Sequence, residues 1–433
     1  DSEIYSQSNH AAPAGIFEHP IRIGMTFQEA MSWLFEQLPM YQRQGAAAYK
    51  TDLDGTWAVL ESMGRPDLKL PNVIHVAGTN GKGSVCQAVH NALVDQGFKV
   101  GLFTSPHLHD FRERMRVNGA MPSEDWVVDF VTVQRKEFER LDLKPSFFEW
   151  TFGMAMCYFS ACQVDLVVLE TGMGGRLDST NIFPRPLVTA ITNIGLDHTQ
   201  FLGNDIRTIA KEKAGIIKDG CPVVVGRMRP EAQSVILGQA LKQGAEFHYA
   251  PEAIADAKLG PNWPENRATA HQILTVLRSQ TGWGDVDVPA QQKLSKAGHL
   301  GRWQWLQIPN KSPGILVDCA HNEDGLKRTV SALEELQYDA LHLVLGVVGD
   351  KELEPVWKWL PARAHFHFCA ANIPRALPVD ELTAAAAKAG RAGKPYETVA
   401  HAVLGAQSQA APSDLIVVLG SIFVAAEALR TFD

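Results

Sequence analysis

The segment VIHVAGTNGKGS, residues 73–84, constrains the fold of this chain more than any other stretch. Val73–Val76 predict a short buried strand. A glycine-rich run, 78–84, follows at once, and residues 85–96 have the pattern of a helix. A strand, a glycine-rich loop and a helix in this order predict a phosphate-binding loop, because backbone N–H groups and the helix N-terminus converge on anionic oxygens.

The predicted phosphate loop departs from the usual pattern in one place. That pattern has Ser or Thr directly after the lysine as a magnesium ligand, whereas here Gly83 follows Lys82 and Ser84 comes one residue later. Lys82 is placed to reach the β- and γ-phosphates of a nucleotide. We therefore expect a magnesium ion to take its protein ligands from downstream residues. The nucleotide-contacting residues predicted in this loop are Gly78, Thr79, Asn80, Gly81, Lys82, Gly83 and Ser84.

Composition excludes several classes of protein. The net charge of −8 disfavours nonspecific nucleic-acid binding. No uncharged apolar run reaches the roughly 18 residues of a transmembrane helix, so no membrane partner is expected. The six cysteines form no CxxC pair and most lie in apolar stretches, which is typical of reduced core residues in a cytoplasmic protein.

The length of 433 residues favours two domains. Apolar strands alternate with helical patterns throughout, which predicts an α/β fold with mainly parallel sheets covered on both faces. We expect a flexible leader at 1–24, a phosphate-loop ATP-binding domain at 25–297 and a smaller Rossmann-like α/β domain at 298–433. The boundary falls where the pattern weakens, between about 282 and 300.

Polar residues follow the ends of several predicted strands of the first domain. Ser105 follows one strand, Glu170 ends the next, and Asp197, His198 and Thr199 follow a third. Ligands of open α/β sheets bind beyond these carboxyl ends, and such side chains suit magnesium. The residues therefore predict a metal site beside the nucleotide. Capping of a helix by Glu170, or its pairing with Arg176, is the alternative.

The motifs GTNGKGS, TSPHL, ETGMGGRLDSTN, LDHT, KEKAG, a later GR and DCAHN occur in this order. Together they resemble the folylpolyglutamate synthase/dihydrofolate synthase family of the Mur ligase superfamily. The resemblance runs from about residue 25 to the C-terminus. It implies an ATP-dependent ligase that joins L-glutamate to the carboxylate of a folate or dihydropteroate through an acyl phosphate. It also implies two magnesium sites and a monomer.

The resemblance also implies roles for residues outside the phosphate loop. Ser105, Glu170 and His198 match magnesium ligands, and Lys213 matches a lysine that carries a carbamate and so also serves the metal. An unmodified surface lysine is the alternative for Lys213. Nucleotide contacts are implied for Asn266, Arg302 and Asp318. His321, together with Lys82, Lys213 and Asp318, matches the catalytic positions.

Substrate-binding positions follow from the same resemblance. Phe148, Leu177, Asp178 and Ser179 align near the dihydropteroate moiety, His321 near the incoming glutamate or the transferred phosphate, and Ser421 near the glutamate. Glu149 aligns beside Phe148. Arg112, Arg114 and Arg116 could hold an acidic substrate tail, but alternating arginines on an exposed strand are an equally good interpretation.

Two other classes of enzyme remain as alternatives. A Mur-type ligase acting on a UDP-sugar peptide would be expected to have a UDP-binding domain before the phosphate loop, where only residues 25–72 of the predicted folded region lie. A phosphate-loop kinase or NTPase would need neither a glutamate site nor the segment with Asp318 and His321. A non-catalytic nucleotide-binding regulator would bind ATP without forming product.

Overall fold

The computed structural model describes residues 25–38, 52–253, 260–281, 300–307, 313–349 and 353–432. The predicted leader, 1–24, the predicted domain boundary at 297/298 and nearly all of the predicted linker lie outside these residues. The two predicted domains correspond to two separate sheets, one formed before residue 250 and one after residue 303. The boundary itself stays a prediction.

The first sheet has seven strands in the order β3-β2-β4-β1-β5-β6-β7. All neighbours are parallel except β2 and β3. Its strands are β1 (Val73–Ala77), β2 (Val100–Phe103), β3 (Met115–Val117), β4 (Leu166–Glu170), β5 (Val188–Ile191), β6 (Val223–Val225) and β7 (Phe247–Tyr249).

The helices around this sheet are α1 (Phe27–Gln37), α2 (Asp54–Ser62), α3 (Lys82–Val94), α4 (Glu124–Arg140), α5 (Phe147–Cys162), α6 (Thr199–Leu202), α7 (Ile206–Ala214), α8 (Pro230–Lys242) and α9 (Trp263–Thr281). Helices α3 and α9 supply one apolar cluster, and α1, α4 and α5 supply another. The continuous burial of β1, β2, β4 and β5 follows from this double cover.

The second sheet has six strands in the order β12-β11-β10-β13-β9-β8, parallel except for the β8–β9 pair. These strands are β8 (Gln304–Gln307), β9 (Gly314–Val317), β10 (Leu341–Leu345), β11 (His365–Phe368), β12 (Gly393–Pro395) and β13 (Leu415–Leu419). Its helices are α10 (Glu323–Leu333), α11 (Glu354–Trp359), α12 (Val379–Lys388), α13 (Val399–Gln409) and α14 (Ile422–Arg430). The predicted α/β class with mainly parallel sheets is therefore confirmed.

Strand order decides which loops meet. Strand β1 lies between β4 and β5, with Val76 in register with Glu170 and Ala77 in register with Ile191. Strand β2 is the next neighbour of β4. The loops that leave these four strands therefore emerge side by side at one edge of the sheet.

The structure corrects two local predictions. Helix α3 begins at Lys82 rather than at residue 85, because Gly81 adopts a left-handed conformation (φ 85°) and the chain turns directly into the helix. The interpretation of Arg112, Arg114 and Arg116 as alternating on an exposed strand is wrong. Arg112 and Arg114 lie in a 3-10 turn, Arg114 is buried, and only Arg116 lies on the short strand β3.

The close contact between α5 and β2 generates a stability prediction. Phe159 is fully buried, and a Cβ at Gly101 would lie 3.0 Å from its ring. Phe159→Ala should lower the free energy of unfolding by about 3–5 kcal/mol, because it leaves a cavity. Thermal unfolding measures this loss. Leu404→Ala is the control, since Leu404 is 54% exposed; equal melting temperatures for the two variants would contradict the packing described.

Candidate active site

The phosphate loop between β1 and α3 is closely packed on both sides. A Cβ at Gly78 would collide with the Thr192 hydroxyl, and a Cβ at Gly81 would collide with the side-chain oxygen of Asn266. Both glycines also have positive φ, 150° and 85°. The structure therefore brings Asn266, a predicted nucleotide contact on α9, directly against the loop.

The loop is held by the segment that follows β5. Asn193 accepts the Thr79 N–H with its main-chain oxygen at 2.9 Å and the Asn80 N–H with its side chain at 2.8 Å. The Thr192 hydroxyl donates to the Asn80 carbonyl at 2.7 Å. The sequence analysis missed Thr192 and Asn193; their position directly after a predicted strand next to β1 is the signal that could have indicated them.

Two lysines converge on the carbonyl of Gly78. Lys82 Nζ donates to it at 3.2 Å and also to the Thr79 carbonyl at 3.2 Å, while Lys213 Nζ donates to it at 2.9 Å. Lys213 is buried, so the surface-lysine alternative is wrong. Burial, and then the neighbouring Lys82 charge, lower the pKa of Lys213 to about 7. Two amines therefore meet at one carbonyl, and the carboxylates of Asp197 and Asp178 lie within electrostatic reach of Lys213.

The second glycine-rich loop, 171–178, positions the helix that carries Lys213. A Cβ at Gly175 would lie 2.9 Å from the carbonyl oxygens of Glu212 and Lys213, so a larger residue would push α7 away. Arg176 pairs with Glu212 at 3.0 Å. The proposed pairing of Glu170 with Arg176 is therefore wrong.

Glu170 and Ser105 are brought together, as the sequence predicts. The Ser105 N–H donates to a Glu170 carboxylate oxygen at 3.0 Å. Burial raises the pKa of Glu170, although the charges of Lys82, Arg302 and Arg114 oppose this. Arg302 belongs to the second domain, so charged side chains of both domains act on the Glu170 carboxylate.

His198 lies directly before α6, as its N-cap, in a left-handed conformation with φ 51°. Its N–H donates to Asp197 at 2.9 Å. The described part of the chain holds no group of three or more His, Cys, Asp or Glu side chains arranged around a metal. A buried carboxylate next to a serine at a strand end nevertheless suits magnesium, which prefers a few oxygen ligands and keeps several waters. The four-residue metal set stays a prediction.

Asp318 and His321 lie in the segment between β9 and α10. Asp318 is buried and accepts the N–H groups of Trp303 and Ala320 at 2.8 and 2.9 Å, so it fixes the turn next to Arg302. His321 Nδ1 lies 2.8 Å from the Cys319 carbonyl. Because a carbonyl only accepts, Nδ1 carries the proton. Nε2 then points to Asp197 of the first domain, at 3.8 Å.

The residue after His321 joins the two domains. The Asn322 side-chain amide donates to Asn80 of the phosphate loop at 3.0 Å and to Asp197 at 3.1 Å. A further contact, Arg328 with Glu265 at 2.7 Å, links α10 to α9. Asn322 is the last residue of the DCAHN motif, and the motif alone does not predict its contacts with the first domain.

A crevice of about 260 Å³ opens between the domains beside these contacts, next to Asn193. Four cationic side chains line it, two from each domain: Arg227, Arg229, Lys327 and Arg328. Asp324 is the one acidic residue in its lining. The three arginines are in ion pairs with Glu265 or Glu231, so much of their charge is balanced by carboxylates.

Four predicted folate-side residues lie in or beside the second glycine-rich loop. The Phe148 ring lies against Gly172 of the second glycine-rich loop, and Asp178 lies on the same glycine. Asp178 is buried and accepts the Met173 and Thr180 N–H groups at 2.8 and 3.0 Å. Partly buried Leu177 precedes it, and Ser179 accepts the Thr56 hydroxyl. These residues lie together.

Ser421 and Glu149 have structural partners. Ser421 caps α14 by accepting the Phe423 N–H at 3.1 Å. Glu149 accepts the Ser146 N–H at 2.6 Å and completes a capping box at the start of α5. Glu149 thus has a helix-capping role, and the substrate roles of Glu149 and Ser421 stay predictions.

Comparisons with known proteins agree with this geometry. The dihydrofolate synthase/folylpolyglutamate synthase of Bacillus subtilis (strain 168) is 30% identical over 92% of this chain and 97% of its own length. The chain belongs to the dihydrofolate synthase/folylpolyglutamate synthase family. The family member from Escherichia coli (strain K12) is 33% identical over 84% of this chain and 87% of its own length.

Other findings place this family member in the Mur ligase group. A family model described as Mur ligase, glutamate ligase domain, matches residues 301–422. The solved structure of E. coli FolC in complex with DHPP and ADP superposes with a TM-score of 0.80 at 28% identity, covering 94% of this chain and 98% of that chain. The family expected from the motifs is confirmed. No helix in the described ranges has the length and apolarity to span a membrane.

The packing around Gly81 yields a prediction. Gly81→Ala should weaken ADP binding about tenfold or more, because the new Cβ displaces Asn266 and deforms the loop. Calorimetric titration with ADP measures the change. Gly97→Ala is a matched control: its φ of 89° imposes similar strain, but no atom lies within 4 Å of its added Cβ. Equal ADP affinities in both variants would contradict the assigned loop role.

Proposed function

We propose that this chain is an ATP-dependent ligase that joins L-glutamate to the carboxylate of a folate or of dihydropteroate. The observation that carries the proposal is the meeting of the phosphate loop with the segment 318–322 of the second domain. Asn80, Asp197 and Asn322 form one hydrogen-bonded group there, with His321 beside it. Family membership supplies the class of reaction and of substrates.

The reaction has two steps. A carboxylate oxygen of the folate-type substrate attacks the γ-phosphorus of ATP, so that an acyl phosphate forms and ADP leaves. The amine of glutamate then attacks the acyl carbon; the C–O bond to phosphate breaks, the amine loses a proton, and an amide and inorganic phosphate result. Phosphate is a good leaving group whereas oxide is not, which explains the requirement for ATP.

The first domain supplies the residues that meet the phosphates. N–H groups of the loop 78–84 and the start of α3 bind phosphate oxygens, and Lys82 exchanges its carbonyl contacts for the β/γ-phosphates. Developing charge in the transition state is neutralised there, an effect that supplies several kcal/mol in comparable sites. Asn266 borders the loop at Gly81 and bounds the nucleotide site.

Magnesium is expected at two sites, held by Ser105, Glu170, His198 and Lys213 as a carbamate. When bound, the ions would supply positive charge to phosphate oxygens and to the attacking carboxylate. Glu170 fits such a role because its buried carboxylate has a raised pKa and would gain from a nearby cation. Lys213 fits carbamate formation because its lowered pKa provides the free amine that reacts with CO₂.

The second domain closes the site. Arg302 and Asp318 are proposed to contact the nucleotide, and the Asp318 hydrogen bonds to Trp303 and Ala320 hold that turn in place. His321 Nε2 is directed to the first domain, where it would orient glutamate or the transferred phosphate. Closure excludes water, which would otherwise hydrolyse the acyl phosphate.

The pterin side of the substrate is proposed to bind where Phe148 meets the second glycine-rich loop, with Leu177, Asp178 and Ser179 at its edge. Two N–H groups donate to the Asp178 carboxylate. They hold it beside Gly172, against which the Phe148 ring also lies. Ser421 is proposed to assist glutamate binding. We further infer a monomer, which the family resemblance implies, and a cytoplasmic setting, which six free thiols support.

ATP turnover distinguishes this proposal from its alternatives. ADP release should require both dihydropteroate or tetrahydrofolate and L-glutamate, and mass spectrometry should detect the glutamylated product. Turnover that continues without glutamate would indicate an NTPase or kinase, and turnover with a UDP-sugar peptide instead of a folate would indicate a Mur-type ligase. Lys82→Ala should abolish product formation while the protein stays folded.

The role of Lys213 can be tested by chemical rescue. Lys213→Ala should lose nearly all activity, and formate or acetate should restore part of it, because either acid supplies the carboxylate that the carbamate would contribute. Steady-state product formation measures the recovery. Lys211→Ala is the control, since Lys211 is exposed on the same helix. Lost activity that no carboxylic acid restores would contradict a carbamate and favour an ammonium role.

A further inference from the structure

Asn322 makes hydrogen bonds in three directions from a single side chain. Its oxygen accepts the Gly325 N–H at 2.9 Å, which caps α10, and accepts the Asn80 amide at 3.3 Å. Its nitrogen donates to the Asn80 side-chain oxygen at 3.0 Å and to Asp197 at 3.1 Å. The residue is buried. One side chain therefore contacts its own helix, the phosphate loop and the strand-end segment after β5.

These contacts use the whole hydrogen-bonding capacity of a primary amide. The amide has two N–H donors, which go to Asn80 and Asp197, and two acceptor positions, which take Gly325 and Asn80. Aspartate would keep the acceptors but lose both donors and place a second carboxylate beside Asp197. Serine would keep only the cap. Asparagine is thus the residue type that serves all three partners.

We propose that Asn322 is a positioning residue that holds the phosphate loop and the second domain in their nucleotide-binding arrangement, with Asn80 and Asp197 as its partners. The proposal rests on the proposed function, since the nucleotide is taken to lie between the two domains. Asn322 acts through these partners and through His321, its neighbour in sequence. When the contacts are lost, part of the nucleotide's binding energy must be spent on bringing the domains together.

Nucleotide affinity is the readout that separates this role from simple helix capping. Asp and Asn are nearly equivalent at a helix N-cap, so Asn322→Asp preserves the cap of α10. It removes two buried hydrogen bonds across the domains, and we expect the ADP Kd and the ATP KM to rise about tenfold or more. Thermal unfolding should show that the variant remains folded at the temperature of the titration, since the helix cap is kept. Asn322→Ser should likewise weaken nucleotide binding while the protein stays folded.

A control and a rescue complete the experiment. Thr398 caps α13 by accepting the His401 N–H at 3.1 Å, and that cap is exposed; Thr398→Ala should lower stability without changing nucleotide affinity. The double variant Asn322→Asp with Asp197→Asn exchanges donor and acceptor, so its ADP affinity should recover towards that of the wild type. Calorimetric titration with ADP is run on all of these intact chains.

The outcomes are distinct. Unchanged ADP affinity in Asn322→Asp and Asn322→Ser, beside a wild type that binds ADP and forms product, would overturn the positioning role alone. Failure of the exchanged pair to bind ADP more tightly than Asn322→Asp would overturn the part assigned to Asp197, because that variant restores only this one of the two lost hydrogen bonds. A wild type that neither binds ADP nor forms product would instead overturn the proposed function.

Discussion

The site depends on one arrangement: two lysine amines, from α3 and α7, donate hydrogen bonds to the carbonyl of Gly78. At this carbonyl both amines donate to main-chain oxygens, while the carboxylates of Glu170, Asp178 and Asp197 act on the two lysines from farther away. Burial, and then the charge of the neighbouring lysine, disfavour the charged form of Lys213 and lower its pKa to about 7. Phosphate groups and a lysine carbamate would both relieve the repulsion between the two amines.

Several features of the sequence serve this arrangement. Gly78 has no side chain because Thr192 occupies that space, and Gly175 has none because the end of α7 packs there. Strand order brings Glu170 and Ser105 to one side of the loop and Asn193 to the other. The second domain then completes the site through the polar contacts of Asn322 and Arg328. A polar contact of this kind suits domains that must separate to release product.

Local features of the sequence predicted much of the fold. The apolar run Val73–Val76 predicts β1 to within one residue of its observed end at Ala77, because it is compact and is followed at once by a glycine-rich turn signal. The phosphate loop was predicted because glycines between a strand and a helix let backbone N–H groups converge on an anion. The start of α3 was predicted too late, since helicity there depends on the left-handed Gly81.

Features that depend on distant contacts could not be predicted. Asn80 and Asn322 are separated by 242 positions, and nothing near either residue indicates the other. The burial of Arg114 depends on His107, which accepts its Nε–H at 2.8 Å, and on the Phe147 ring, 5.1 Å away. Short edge strands such as β7 and β12 have three residues each and no apolar run to reveal them.

The central claim is that the loop and its two lysines serve the transfer of phosphate to a substrate carboxylate. Isotope transfer tests it most directly. Dihydropteroate with ¹⁸O in its carboxylate is converted in the presence of ATP and glutamate, and the inorganic phosphate is analysed by mass spectrometry. An acyl phosphate requires one ¹⁸O atom in each phosphate released. Phosphate without label, alongside normal amide formation, would contradict the account.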